Sequence, residues 1–105
     1  MDKDAIYKLH ILDSITDIEN YVKGLLQKEF EGNKIVQDAV MRKFQVIGEA
    51  TKRLSPGFKS KHRDIPWKKV TGMRDILIHD YFQVDLTILW DTIQNELPAL
   101  KQKLK

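Results

Sequence analysis

The segment GMRDILIHDYF, residues 72–82, sets Arg74, Asp75, His79, Asp80 and Tyr81 among isoleucines and a leucine. Phosphodiester chemistry can use such a set: a guanidinium neutralises a phosphate, and an imidazole that titrates near neutrality takes up or delivers a proton. Other routes to catalysis are thinly represented. The chain has no cysteine, which removes disulfides, a thiolate nucleophile and cysteine-ligated metals from consideration. His10 and His62 stand singly, without metal-ligand spacing to a partner, and no Gly-rich phosphate loop occurs. Neither a metal nor a cofactor is therefore expected, and core or surface roles suffice for these two histidines.

The elements that must position this segment read as helices. Apolar residues recur at three- and four-residue steps, and no alternating strand pattern, internal repeat or low-complexity stretch appears. Ile6, Leu9, Ile15, Ile18, Tyr21 or Val22, and Leu25 predict a first helix over about residues 4–29, closed by Gly32 and Asn33. Val36, Ala39 or Val40, Phe44, Ile47, Ala50 and Leu54 predict a second, which Ser55, Pro56 and Gly57 break. Pro66 suits the first position of a third helix over about residues 66–80. Asp85 can cap a fourth, whose stripe is Leu86, Leu89, Trp90, Ile93 and Leu97 and which Pro98 kinks or shortens. Trp67 and Trp90 keep helical spacing with other apolar residues and read as packing. The expected fold is all-α, an antiparallel up-down bundle of four to five helices forming one domain, 1–105.

Turned on a wheel from Trp67, the residues Ile76, Met73, Leu77, Val70, Tyr81 and Ile78 complete an apolar arc of roughly 200°, wider than one core-facing side needs. The second face is expected to meet another copy of the chain, giving a homodimer. Arg74 falls inside that arc, where its donors need a carboxylate or a phosphate, while Asp75 and His79 lie on the polar side with Lys68 and Gly72. On a straight helix Arg74 and His79 are about 7.5 Å apart along the axis and about 140° apart around it. Their heads meet only if the helix bends or two such helices cross. In the plainer alternative, His79 caps the helix C-terminus and Arg74 pairs with Asp75, Asp80 or Glu49.

Charge is unevenly spread over the 105 residues, whose formal net value is +3. Residues 1–32 hold seven acids against four lysines. In KRLSPGFKSKHR, residues 52–63, Lys52, Arg53, Lys59, Lys61 and Arg63 occur with no acid, a local field that attracts a phosphate backbone or simply keeps a loop solvated. The charged first residues lack the form of a signal peptide, and no run approaches the ~18 apolar residues of a membrane span. A soluble, cytoplasmic protein with no membrane partner is expected.

RDILIHDY, residues 74–81, has the form Arg, four residues, His, one residue, Tyr, and resembles the signature of the HepT toxins in the HEPN (higher eukaryotes and prokaryotes nucleotide-binding) superfamily. FQVIGEATKRLSPGF, IPWKKVTGMRDILIHDYFQVD and LWDTIQNELPAL resemble further stretches of that family in order and spacing, covering most of residues 36–100. The resemblance implies a metal-independent endoribonuclease, the toxin of a HepT/MntA-type toxin–antitoxin pair, all-helical and homodimeric with its motifs meeting at the dimer interface. Under that resemblance Arg74 holds the scissile phosphate, and His79 serves as general acid or base. Tyr81 corresponds to the tyrosine that an MntA-type minimal nucleotidyltransferase, the antitoxin, modifies by AMPylation. Glu49 matches a recurrent family position from which it can orient Arg74; a plain surface carboxylate is the alternative. Where the family often has asparagine this chain has Asp75, which keeps an acceptor and adds negative charge near the phosphate. Two function classes follow: a ribonuclease toxin acting on RNA, or a catalytically inactive HEPN module that binds a nucleotidyltransferase or a nucleotide.

Overall fold

The computed structural model describes residues 2–72 and 85–105. Among these residues every regular element is helical. In chain order they are α1 (Lys3–Val22), α2 (Gln27–Glu31), α3 (Lys34–Arg53), α4 (Pro56–Lys61), the described part of α5 (67–72), α6 (Leu86–Asp91) and α7 (Leu97–Leu104), with a π-helical turn, Thr92–Glu96, joining the last two.

Local sequence explains most of the boundaries. Asp2 starts α1 by accepting a hydrogen bond from the Asp4 N–H, and Asn33 starts α3 by accepting one from the Val36 N–H. Ser55 caps α4 with Pro56 at the first helical position, where a missing N–H costs nothing. Asp85 caps α6, its carboxylate accepting from Thr87 and Ile88.

The expected first helix over 4–29 is instead two. The break falls at Gly24, whose φ of +79° lies in the left-handed region that a side chain resists. Beyond it Glu29 accepts from the Leu26 N–H and opens α2. On α1 the buried face is Ile11, Ser14, Ile15, Ile18 and Val22, so Val22 and not Tyr21 completes the stripe, and Leu9 is 55% exposed. The expected break at Ser55–Gly57 is confined to Leu54 and Ser55, since α4 already begins at Pro56, so much of the basic segment is helical and not loop. Pro98 does not shorten the last helix. The π turn takes up one extra residue just before it, the Leu97 N–H reaching back to the Thr92 carbonyl, and the proline then lies in the first turn of α7.

α1 and α3 pack along their lengths, and their pairings run in opposite senses: Asp4 near the start of α1 meets Ser55 just past the end of α3, and Asp17 meets Lys43 at 2.9 Å. The hairpin is therefore antiparallel. α7 packs on α1, where Lys101 reaches Glu19 at 2.7 Å, and α2 bridges α3 and α6. One apolar cluster runs through the interior, including Ile11, Ile15, Phe30, Phe44, Ile47, Ile93 and Leu97. Each such side chain taken fully out of water contributes roughly 1.5–3 kcal/mol. Phe30 packs on Trp90 with ring centroids 5.3 Å apart, and Trp67 also packs against the cluster, so both tryptophans serve packing as expected. Buried Gln37 is satisfied by donating to the carbonyls of Phe30 and Glu31, which ties α3 to the end of α2.

Candidate nucleic-acid interface

Arg74, Asp75, His79 and Tyr81 lie outside the described residues. What the structure shows is how the chain enters and leaves their segment. The indole N–H of Trp67 donates to the carbonyls of Lys59 and His62, at 3.1 and 3.0 Å, and fixes the start of α5 against α4. Val70 is buried, and Lys69 pairs with Glu96 on the π turn. On the far side, the Asp85 cap sets where α6 begins.

α4 is held from beneath by Ser55. Its hydroxyl donates to Asp4 at 2.6 Å, its N–H donates to the same carboxylate at 2.8 Å, and its oxygen accepts from the Phe58 N–H. The Ser55 hydroxyl, then its N–H, hold the Asp4 carboxyl below its ordinary value. Phe58 stacks on His62 at 4.6 Å and meets Trp67 edge-on, so His62 has a packing role on the surface. Of the cations predicted to meet RNA, Lys52, Arg53, Lys61 and Arg63 are exposed and Lys59 is half-buried.

Lys52 and Arg53 lie in the last turn of α3, and Lys59 and Lys61 lie on α4 and not on a loop. Arg53 points into a groove of about 470 Å³ along the seam of α1 and α3, lined by Tyr7, His10, Arg42, Gln45, Glu49 and Arg53, with Val46 and Ala50 at its floor. Glu49 is half-buried there. Tyr7 and His10 meet edge to face across 6.2 Å. Sequence reasoning missed Arg42, Tyr7, Gln45 and the placement of His10. The available signal was the spacing of Arg42, Gln45, Glu49 and Arg53, one stripe of α3 turned away from its core stripe Val40, Phe44, Ile47 and Thr51. Lys43, on another side of α3, is taken up by Asp17, whose hydrogen bond raises the lysine above its ordinary value. Among the described residues no group of His, Asp and Glu is placed to hold a metal ion, and no helix is long and apolar enough to cross a membrane.

A helical protein with an arginine-lined groove beside its longest helix pair is the class that fold and site define. Residues 11–105 match the family model described as ribonuclease HepT-like. The chain belongs to that family. It is 46% identical to "Gamma-glutamylcyclotransferase and putative RNase MJ0434" of Methanocaldococcus jannaschii, over 99% of this chain and 47% of that protein, so it spans about half of that relative. It is 40% identical to "Putative RNase TTE0752" of Caldanaerobacter subterraneus subsp. tengcongensis, over 94% of this chain and 88% of the relative. It is 39% identical to "Probable ribonuclease HepT" of Thermococcus cleftensis, over 94% and 90%. No solved structure matches the chain significantly.

Proposed function

We propose that this chain is a metal-independent endoribonuclease, the toxin of a HepT/MntA-type pair, working as a homodimer. The observation that carries the reading is the family match over residues 11–105 together with RDILIHDY at residues 74–81. Relatives named as RNases over most of their own length support it.

In this reading two copies bring their α5 segments together, so that Arg74 and His79 of one subunit face those of the other. Arg74 neutralises the scissile phosphate and the charge that grows on it. One histidine takes the proton of the ribose 2′-hydroxyl, whose oxygen attacks the adjacent phosphorus. The bond from phosphorus to the 5′-oxygen breaks, and the second histidine, protonated, gives that oxygen its proton. The products are a 2′,3′-cyclic phosphate and a free 5′-hydroxyl. Glu49 and Asp75 orient the arginine, and AMP attached to Tyr81 by a minimal nucleotidyltransferase blocks the cleft by charge and volume.

The test is incubation of purified protein with RNA in EDTA. Cleavage that leaves cyclic phosphate ends and disappears in His79→Ala is the expected result. A wild-type protein that leaves RNA intact, while still binding a nucleotidyltransferase, would make the inactive-module reading the correct one.

A further inference from the structure

We propose that the α1–α3 groove is a binding subsite for single-stranded RNA, with Arg42 and Arg53 holding phosphates and Tyr7 and His10 stacking on a base between them. The proposal rests on the ribonuclease reading for its biological setting and on the groove itself for its chemistry.

Arg42 and Arg53 stand eleven residues apart on α3, three helical turns, which places them on one face about 16 Å apart along the axis. Both are exposed, both line the groove, and neither guanidinium forms an ion pair among the described residues. A planar guanidinium matches a phosphate by two parallel hydrogen bonds, and two of them at the ends of one groove suit phosphates of an extended strand that are separated by intervening nucleotides. The opposite wall supplies rings. Tyr7 and His10 sit one turn apart on α1 with their planes at 76°, so a base can stack on one ring while the other closes its edge.

Among the remaining lining groups, Gln45 favours a nucleotide over a bare polyanion. It offers both a donor and an acceptor for a base edge. The groove volume of about 470 Å³ lies within the roughly 300–1,000 Å³ of small-molecule sites. Arg53 ends α3 immediately before Ser55 and α4, so a strand leaving the groove at that end meets Lys59, Lys61 and Arg63. The walls are fixed. Asp4, one turn before Tyr7, is tied to Ser55, and α1 is tied to α3 again through Asp17 and Lys43.

The experiment measures binding of a labelled single-stranded 2′-O-methyl RNA, which cannot be cleaved through its 2′-oxygen, by fluorescence anisotropy over a salt series. Arg42→Gln with Arg53→Gln should weaken binding at least tenfold and lower the slope of log affinity against log salt by about 1.4, two phosphates at about 0.7 each. Tyr7→Leu with His10→Leu should weaken binding while leaving the slope unchanged, because stacking releases no counterions. A second readout asks for photocrosslinks from 4-thiouridine RNA, mapped by peptide mass to Tyr7 or His10. Wild-type affinity and slope in the arginine variant, or crosslinks only at other residues, would overturn the subsite. Equal affinity for duplex RNA would overturn the stacking role. The ribonuclease reading fails separately: RNA is bound through these residues yet stays intact with an unmodified substrate.

Discussion

Replacing Ser55 by alanine separates two contributions that one hydroxyl makes. The hydroxyl oxygen accepts from the Phe58 N–H and caps α4, and the hydroxyl hydrogen goes to Asp4 at 2.6 Å. Loss of the cap costs about 1 kcal/mol. For a domain of about a hundred residues that lowers the melting temperature by roughly 4–8 °C at neutral pH. The second contribution depends on pH. Asp4 is held below its ordinary value of 3.8, chiefly by the Ser55 hydroxyl, so its ionised form is favoured in the folded state. A carboxyl with a depressed folded value adds stability that is complete above its unfolded value and is lost as pH falls through the folded one. Alanine keeps only the bond from the Ser55 N–H, so less acid-labile stability remains to lose. Thermal melts followed by circular dichroism from about pH 6 to about pH 3 should show the gap between wild type and Ser55→Ala narrowing towards acid as the Asp4 share is progressively lost. A gap that stays constant across that window would refute the assignment of Asp4 to Ser55. No gap at neutral pH would refute the cap as well.

Gln37→Met keeps length and volume but removes both bonds to the end of α2. The Phe30 carbonyl still has the Asn33 N–H, while the Glu31 carbonyl loses its side-chain donor, so a cost of about 2 kcal/mol is expected in urea melts. Reversal of Lys59, Lys61 and Arg63 to glutamate should weaken RNA binding and flatten its salt dependence without altering helicity, by about 0.7 in slope for each phosphate no longer neutralised. Tyr81→Phe should stay folded and cleave RNA yet escape silencing by a cognate nucleotidyltransferase and ATP. Intact mass should then rise by one or more AMP units only where Tyr81 is present, and adducts on Tyr7 or Tyr21 would contradict this.

The starts at Asn33 and Asp85 were legible because such caps act within a few residues of themselves, a side-chain oxygen meeting an N–H two or three positions on, whereas Ser55 read only as a break. The stripes of α3 and of α6 through α7 were legible for a related reason. A period near 3.6 is a property of the helix itself, and Val40, Phe44, Ile47, Leu89, Ile93 and Leu97 are buried where that period puts them. The break at Gly24 was obscured because apolar residues continue at helical steps on both sides of it, and glycine tolerates a helix as well as a turn. Tyr21 and Val22 are neighbours only 100° apart on α1, so the partner surface decides which one is covered.

By itself, then, the sequence determined the all-helical class, most helix starts and the family, since each depends on local spacing or on a contiguous motif. The groove was settled by tertiary structure alone. Tyr7 and His10 are more than thirty residues from Arg42 and Arg53, and nothing in either stretch names the other as its neighbour. They share one wall-to-wall space because α1 and α3 bury their apolar faces antiparallel, which fixes register along the whole pair and carries the polar flanks into alignment with it.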